Sequence, residues 1–456
     1  MKFPRITKNK ETQTNLPVIK SHSGRYTMIM EKHSNNKKKG IWGVFWTFSF
    51  FAFIAPVICG YSIWRPITLI NDYSPKESHQ LLLISIFIFM IFFNVKVFEE
   101  LIYSRTLLLF SQLTLDFCMI PVSLFYFSIT YDVCHYFNNL FSNKTFDTND
   151  MNDINNLENV DNNLQNFGNF GHGGNHIFEA MTRKQIGYVI ILLGSIMYLF
   201  GLYRGTHCSI KQYYLKTNKK LTRKIRFAHI SDVHIGSRLD KLPVKVVDKI
   251  INEKPEFVVI TGDLIDSHNI VSSDLQQFES LRKCDIPVYY TIGNHDIMAG
   301  EEYVRSILNH YGINYLSNEV QMIDLKGEQI QLVGIDDVQS VNEFNDLFDE
   351  TKDCIDKEHY SILLHHRPQG YKKVVESGLV DLQLAGHTHK GQLFPLGLLA
   401  KMFHPKVCGL YTLKSNKKSQ NNMHLYTHPG TCAWGPKYRT SGKNLITMFT
   451  IEPKDC

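Results

Sequence analysis

Apolar residues are distributed in two ways along this chain. Between residues 41 and 203 they come in long, nearly uninterrupted runs; from Lys224 onward they come in short blocks that end in polar clusters. Ile41–Ile63 is almost wholly apolar, long enough to cross a hydrocarbon core of about 30 Å at about 1.5 Å per residue. Trp42, Trp46 and Trp64 lie at or near its ends, as interfacial anchors do. Leu81–Val97, Leu107–Ile129 and Ile186–Tyr203 are three further runs with few charges. The pattern predicts an all-α membrane bundle of about four transmembrane helices over residues 41–203. Asp116 sits inside the third run, where an ionisable group is costly. A polar contact between helices is the expected reading, a functional site the alternative.

The second half has a different period. Ile225–Ile230, Phe257–Thr261, Ile286–Ile292, Ile330–Gly334, Tyr360–Leu364 and Leu379–Ala385 are β-branched or apolar blocks too short for stable helices. Leu242–Glu253, Asp274–Lys283 and Glu301–Tyr311 have helical spacing. Strands alternating with helices predict a layered α/β domain over residues 224–456, its site on the rim formed by the strand ends. Gly293 is expected to open a tight turn after the third of these strands.

Charge settles the orientation of the two halves. The first 40 residues are basic and without apolar pattern, which predicts a disordered tail. Arg204, Lys211, Lys216, Lys219, Lys220, Arg223, Lys224 and Arg226 come after the fourth run, while the intervening loops carry few cations. Basic flanks stay on the cytoplasmic side, so the amino terminus and the domain after Tyr203 should both face the cytosol. The loop 138–176 is Asn-rich, of low complexity, and holds the glycosylation sequon Asn143-Lys144-Thr145, on the opposite side. A net charge of +6 concentrated around the membrane runs argues against nucleic acid as a partner. Nine scattered cysteines with no CxxC pair fit free thiols.

The residues just past the strands carry the chemistry: Ser231-Asp232-Val233-His234, Gly262-Asp263, Gly293-Asn294-His295-Asp296, His365-His366-Arg367-Pro368 and Gly386-His387-Thr388-His389. Carboxylates, an amide and imidazoles together suit borderline divalent ions such as Mn, Fe, Zn or Ni. The set is too large for one tetrahedral ion, and two ions about 3.5–4 Å apart would use it fully if one carboxylate bridged them. Asp263, central in the order, is the natural bridge.

In order and spacing these motifs resemble the calcineurin-like metallophosphoesterases, over about the second half of the chain. With the amino-terminal runs, the whole resembles the transmembrane proteins that carry such a domain. The resemblance implies a β-sandwich flanked by helices. It implies that Asp232, His234 and His389 with Asp263 bind a first metal, and that Asn294, His366 and His387 with Asp263 bind a second. His295 would be the acid next to the substrate, and Asp296 its orienting carboxylate. The implied activity is hydrolysis of a phosphomonoester or phosphodiester, lipid-linked or soluble, by water acidified between the two ions. His366 rather than His365 matches the family's ligand, since it stands two residues before Pro368. Protein serine/threonine phosphatases of the superfamily have Asp-Arg-Gly in the second motif, whereas Asp266 here is followed by Ser267-His268. Trp434-Gly435-Pro436 and Arg439 resemble the closing segment of the membrane group. The apolar stretch Leu393–Phe403 is too short and too broken to span; ordinary core is expected, a membrane-facing lip is the alternative. The competing function is a transporter, receptor or scaffold whose soluble domain has the same fold without the activity.

Overall fold

The computed structural model describes residues 55–71, 73–102, 105–142, 181–236, 241–266, 270, 272–415 and 422–454. The expected basic tail, most of the first apolar run and all of the Asn-rich loop after Ser142 lie outside these residues.

Four helices come first: α1 (Ala55–Ile70), α2 (Pro75–Ile102), α3 (Arg105–Ser142) and α4 (Arg183–Thr206). They contain the described parts of the four apolar runs. Among the described residues two stretches are long and apolar enough to cross a membrane, Leu115–Phe137 within α3 and the whole of α4. Helix α3 continues past the expected end of the third run, so Asn138–Ser142 are helical rather than loop. Thr182 starts α4 with a reciprocal cap: its hydroxyl accepts from the Gln185 amide, and the Gln185 side chain accepts from the Thr182 amide. Close packing is permitted by small residues: a Cβ on Gly194 would collide with Leu124 of α3.

The α/β half holds two six-stranded sheets. The first has the order β1 (Cys208–Thr217), β12 (Asn444–Pro453), β2 (Ile225–Ile230), β3 (Phe257–Thr261), β4 (Val288–Thr291), β5 (Ile313–Tyr315). The second runs β10 (Gly409–Leu413), β11 (Met423–Thr427), β9 (Leu382–Ala385), β8 (Tyr360–Leu364), β7 (Glu328–Gly334), β6 (Glu319–Leu325). Both are mixed: β2, β3, β4 and β5 are parallel, as are β7, β8, β9 and β11, while β12 runs antiparallel to β2 and β6 to β7. Because β1 joins the sheet from Cys208, the layered half begins ahead of the Lys224 start read from apolar blocks. Its exposed and half-buried edge residues hide that strand in the sequence.

Three apolar layers hold the sheets. Between them lie Phe227, Phe257, Leu332, Ile362, Leu382 and Phe449, with the Phe227 and Phe257 rings stacked at 4.8 Å. The outer face of the first sheet is covered by α5 (Leu242–Glu253), the short α6 (Glu279–Lys283) and α7 (Asn294–His310). The outer face of the second is covered by α8 (Val341–Thr351) and α9 (Tyr371–Ser377) through Phe344, Phe348 and Val374. Residues buried on both faces explain why the strands read as continuous apolar blocks rather than alternating ones.

Asp381, just ahead of β9, is a half-buried carboxyl whose oxygen accepts the Ser361 amide at 2.9 Å. Burial pushes its pKa up to about 6, against the pull of Lys219 and that amide. Unfolded, it titrates near 3.9, so folding takes up a proton between about pH 4 and 6. Stability from this group is therefore full below about pH 4 and is lost as pH rises through 6. Asp381→Asn keeps the acceptor without the charge. It should raise stability by about 1–2 kcal/mol at pH 7.5 and leave it unchanged at pH 4, as read from paired thermal melts.

Candidate metal centre

The parallel strands β2, β3, β4, β8 and β9 end on the same rim, and the polar clusters at their ends converge there. Several of these residues are forced into backbone conformations that side chains avoid. Asp232, His234, Asp263, His387 and His389 all have φ between 48° and 70°. Each left-handed non-glycine residue costs about 1–3 kcal/mol, and such strain gathers where a site must be held rather than where a fold must be stable. Gly293 differs from expectation. Its φ of −112° is open to any residue; glycine is needed because a Cβ would run into Asp263. The chain does not turn there either. Helix α7 begins at once at Asn294, although its residues 294–296 look like a loop in the sequence, and breaks at Gly300 before resuming.

Donor atoms from different strand ends lie within 4.8 Å of one another in three overlapping groups: Asp232, His234 and His389; His234, Asp263 and His295; and Asp263, His366 and His387. The ring nitrogens are oriented from behind. His366 donates through Nδ1 to the Thr261 carbonyl at 2.8 Å, which leaves Nε2 facing the Asp263 carboxylate at 3.1 Å. His234 sets Nδ1 3.2 Å from the Asp266 carboxylate, which leaves Nε2 2.9 Å from Nε2 of His389. His387 brings Nδ1 to 3.3 Å from Nε2 of His366, and its backbone amide donates to Asp232 at 3.0 Å. The Asn294 side-chain oxygen is buried with no hydrogen-bond partner among the described residues. Ring nitrogens turned toward one another and toward two carboxylates, with a buried amide oxygen that has no donor, form a set that a cation can share. The residues therefore fit divalent metal on both sides of Asp263.

Electrostatics agree. Burial pushes the Asp263 and Asp232 carboxyls up, but the surrounding rings more than reverse it: His366 and His295 for Asp263, His389 for Asp232. Both carboxyls lie below their usual range. Burial lowers the His366 ring, yet Asp263 lifts it to about 10, whereas burial dominates at His389 and takes it down to about 4. The site thus keeps its carboxylates ionised and sets its rings against one another.

One expected pairing is not made. The Asp296 carboxylate does not meet the His295 ring; it accepts the backbone amides of Asp263 (2.6 Å), Ile265 (2.8 Å) and Gly293 (2.9 Å). As the third residue of α7 it caps the helix and locks the β3 and β4 loops together. Burial first, then the Asp263 charge, push its pKa up to about 7. The His295 ring instead lies 5.0 Å from the His234 ring and 5.4 Å from Trp434, and burial lowers its pKa. His365 is turned away from the cluster, packed 4.6 Å from Phe344 with Nδ1 3.2 Å from the Ile335 carbonyl.

Two contributors, Asp266 and Asp337, escaped sequence reading as supports of the site, and a third, Arg439, was read only as part of the closing segment. Asp266 holds His234, and its only trace is a second aspartate three residues after Asp263. Asp337 fixes Arg367 at 2.9 Å, and that guanidinium reaches 3.3 Å from Nε2 of His387. Arg439 is wholly buried and donates to the carbonyls of Pro429 (2.7 Å), Cys432 (3.1 Å) and His389 (3.2 Å). If Asp266 orients a ligand ring, Asp266→Asn should weaken Mn²⁺ binding by about 10–100-fold, read by calorimetric titration.

A family model described as calcineurin-like phosphoesterase matches residues 225–391. An uncharacterized metallophosphoesterase of Helicobacter pylori strain J99 is 31% identical over 276 residues, spanning 59% of this chain and 71% of its own. This chain belongs to the calcineurin-like metallophosphoesterases. A transmembrane protein with metallophosphoesterase domain from Danio rerio is 32% identical over 241 residues, 50% of this chain and 53% of that protein. One of the same description from Bos taurus is 26% identical over 243 residues, 50% of this chain and 53% of that protein. The chain thus spans about half the length of these transmembrane relatives.

The metallophosphoesterase half is fastened to the helices by its closing segment. Asp116 of α3, expected between helices, instead accepts the Lys437 backbone amide at 2.5 Å and lies 3.6 Å from its ammonium. Tyr438 shares a 2.7 Å hydrogen bond with Ser123 of α3 and stacks on Tyr198 of α4. The Arg439 amide donates to the Gly201 carbonyl at 2.9 Å, and Asn444 donates to the Gly205 carbonyl at 2.9 Å. A side chain on Gly201 would strike the Tyr438 ring, and one on Gly205 the Lys437 carbonyl.

Proposed function

We propose that this metallophosphoesterase is an active, membrane-anchored hydrolase that works through two divalent cations on a phosphomonoester or phosphodiester. The reading rests on one observation: inward-facing ligand atoms from five strand ends, brought within 4.8 Å of one another in three groups, two of which share Asp263. Asp232, His234, His389 and Asp263 would hold one ion, and Asn294, His366, His387 and Asp263 the other. When bound, such a pair lowers the pKa of water in the site and offsets charge on phosphoryl oxygens. The ligand chemistry suits Mn, Fe, Zn or Ni.

The chain's own residues supply the rest. Asp266 and the Thr261 carbonyl hold the His234 and His366 rings and leave their Nε2 atoms inward, while Asp337 braces Arg367 beside His387. His295 stands beside both His234 and Asp263, where its ring would give a proton or hydrogen bond to the leaving oxygen. Asp296 acts behind it as a clamp on the Asp263 and Gly293 loops. Arg367 offers a braced cation at the rim for a phosphate oxygen.

Anchoring through about four spans, with the metallophosphoesterase half in the cytosol, is supported by the two apolar helices, the basic flanks and the transmembrane description of two relatives. Asn143, outside the described residues, would then face the lumen and be open to glycosylation. Purified full-length protein in detergent should hydrolyse p-nitrophenyl phosphate or bis(p-nitrophenyl) phosphate with Mn²⁺, lose turnover in chelator and regain it on re-addition. Failure to bind Mn²⁺ or to turn over either ester would sink the proposal.

A further inference from the structure

Directly after the last metal-ligand motif the chain forms α10 (Leu396–Phe403), a helix of eight residues with no buried side chain. Its large residues are apolar and at helical spacing share one broad face: Leu396, Leu398, Leu399, Met402 and Phe403 are all exposed, the last two by 75% and 79%. Lys401 is the helix's one charge. The expectation that Leu393–Phe403 packs as ordinary core fails for Leu396–Phe403 for this reason: among the described residues no layer of the domain covers them. An apolar face of this breadth on a short helix is stable where water is excluded, against other protein or in the lipid interface.

Its position identifies the cover. The preceding residues run along the membrane helices. Leu393 packs into the cluster of Cys59, Phe89, Leu115 and Met119. Phe394 accepts a hydrogen bond from the Tyr126 hydroxyl through its carbonyl, and its ring lies 6.5 Å from the Tyr126 ring. Tyr126 is in the middle of the apolar stretch Leu115–Phe137. Helix α10 therefore starts alongside a segment long and apolar enough to lie among acyl chains, and its exposed face continues that apolar surface.

The helix is equally close to the metal centre. Gly391 has no room for a Cβ because Gly397 lies against it. His404, one residue past α10, sets its ring 5.4 Å from the His387 ring, and the Thr388 hydroxyl donates to the Val407 carbonyl at 2.6 Å. One short element thus touches both the loop that carries His387 and His389 and the side of the helix bundle.

We infer that α10 is seated in the bilayer that holds the helices, and that the centre takes its phosphoester from the bilayer surface, as a headgroup on a membrane-resident lipid. This rests on the phosphoesterase reading for its second part only. Lipid contact on Leu398, Leu399, Met402 and Phe403 would hold the 386–391 loop at headgroup depth, so that a lipid phosphate reaches the ligands without leaving the membrane.

Two measurements on the full-length chain test it. First, Met402→Cys, with the exposed Cys134, Cys284 and Cys354 changed to Ser, is labelled with a thiol fluorophore and reconstituted in phosphatidylcholine vesicles. Acyl-brominated phosphatidylcholine should quench this label at least about twofold more than a label on Cys354 in a second protein that keeps Cys354 and Met402, and aqueous iodide should do the reverse. Iodide quenching at 402 equal to that at 354 overturns the seating. Second, the double variant Leu398→Glu/Met402→Glu should keep Mn²⁺-dependent turnover of a water-soluble nitrophenyl ester and lose about tenfold on vesicle-borne phosphatidic acid and phosphatidylglycerol. Equal loss on soluble and lipid esters would make α10 a structural element and overturn the inference. So would a wild-type protein that hydrolyses the soluble ester but neither lipid. Absence of turnover on every ester would instead strike the phosphoesterase reading, with the quenching result standing apart.

Discussion

Asp263→Asn should abolish metal-dependent turnover, by about a thousandfold or more, while leaving the fold in place. The carboxylate belongs to two of the three donor groups, so removing its charge weakens both sides of the centre at once. Its other task survives: the oxygen that accepts the His295 amide at 2.8 Å is retained in asparagine. A thousandfold loss corresponds to about 4 kcal/mol of transition-state stabilisation, the scale expected when a buried charge at the reacting centre is lost. The checks are initial rates on a soluble nitrophenyl ester across a Mn²⁺ titration, and thermal melts in chelator, which should differ little between variant and wild type. A variant that keeps a tenth of wild-type turnover at saturating Mn²⁺ would remove Asp263 from the bridging position.

Arg439→Ala should be the most destabilising single change in the closing segment. The guanidinium is fully buried and satisfies three backbone carbonyls, those of Pro429, Cys432 and His389. Truncation removes one donor from each of those oxygens, although the His389 carbonyl keeps the Gln392 amide at 3.0 Å, and takes a large side chain out of the packing beneath the metal loop. An unsatisfied buried group costs about 1–3 kcal/mol, so a loss of about 4 kcal/mol or more is expected. For a domain of this size that is a fall of roughly 10 °C in melting temperature. Arg439→Lys, which keeps the charge but not the planar fork, should fall between the two. The variant should also bind Mn²⁺ more weakly, since Arg439 holds the His389 carbonyl. A melting temperature within a degree or two of wild type would show that water replaces the guanidinium without loss.

The alternation of apolar blocks with polar strand ends was enough, read from the chain alone, to predict a layered α/β half with a metal-type site on one rim. The reason is local. Strands buried on both faces write themselves as short apolar runs, and a ligand must stand where a strand stops. Thus β2, α5, β3 and β8 have the same ends in the sequence as in the structure. Of the four long apolar runs, two meet the length and composition of a span among the described residues, a property that belongs to one segment. Features that depend on partners distant in the chain were not legible. Strand β1, half-exposed at a sheet edge, is defined by pairing with β12 more than two hundred residues later. Asp266 and Arg439 matter for the groups they touch, which no spacing announces. Asp296 stands next to His295 in sequence, yet helical geometry from Asn294 turns its carboxylate onto backbone amides. Asp116 is buried polarity within a helix until Lys437 is brought against it. Leu393–Phe403 has the composition of a core segment, and only the absence of any covering layer, beside helices fit for a membrane, separates a lip from a core. Residue chemistry and periodicity are local and survive in the chain; who faces whom is set by closure of the sheets and by docking on the helices.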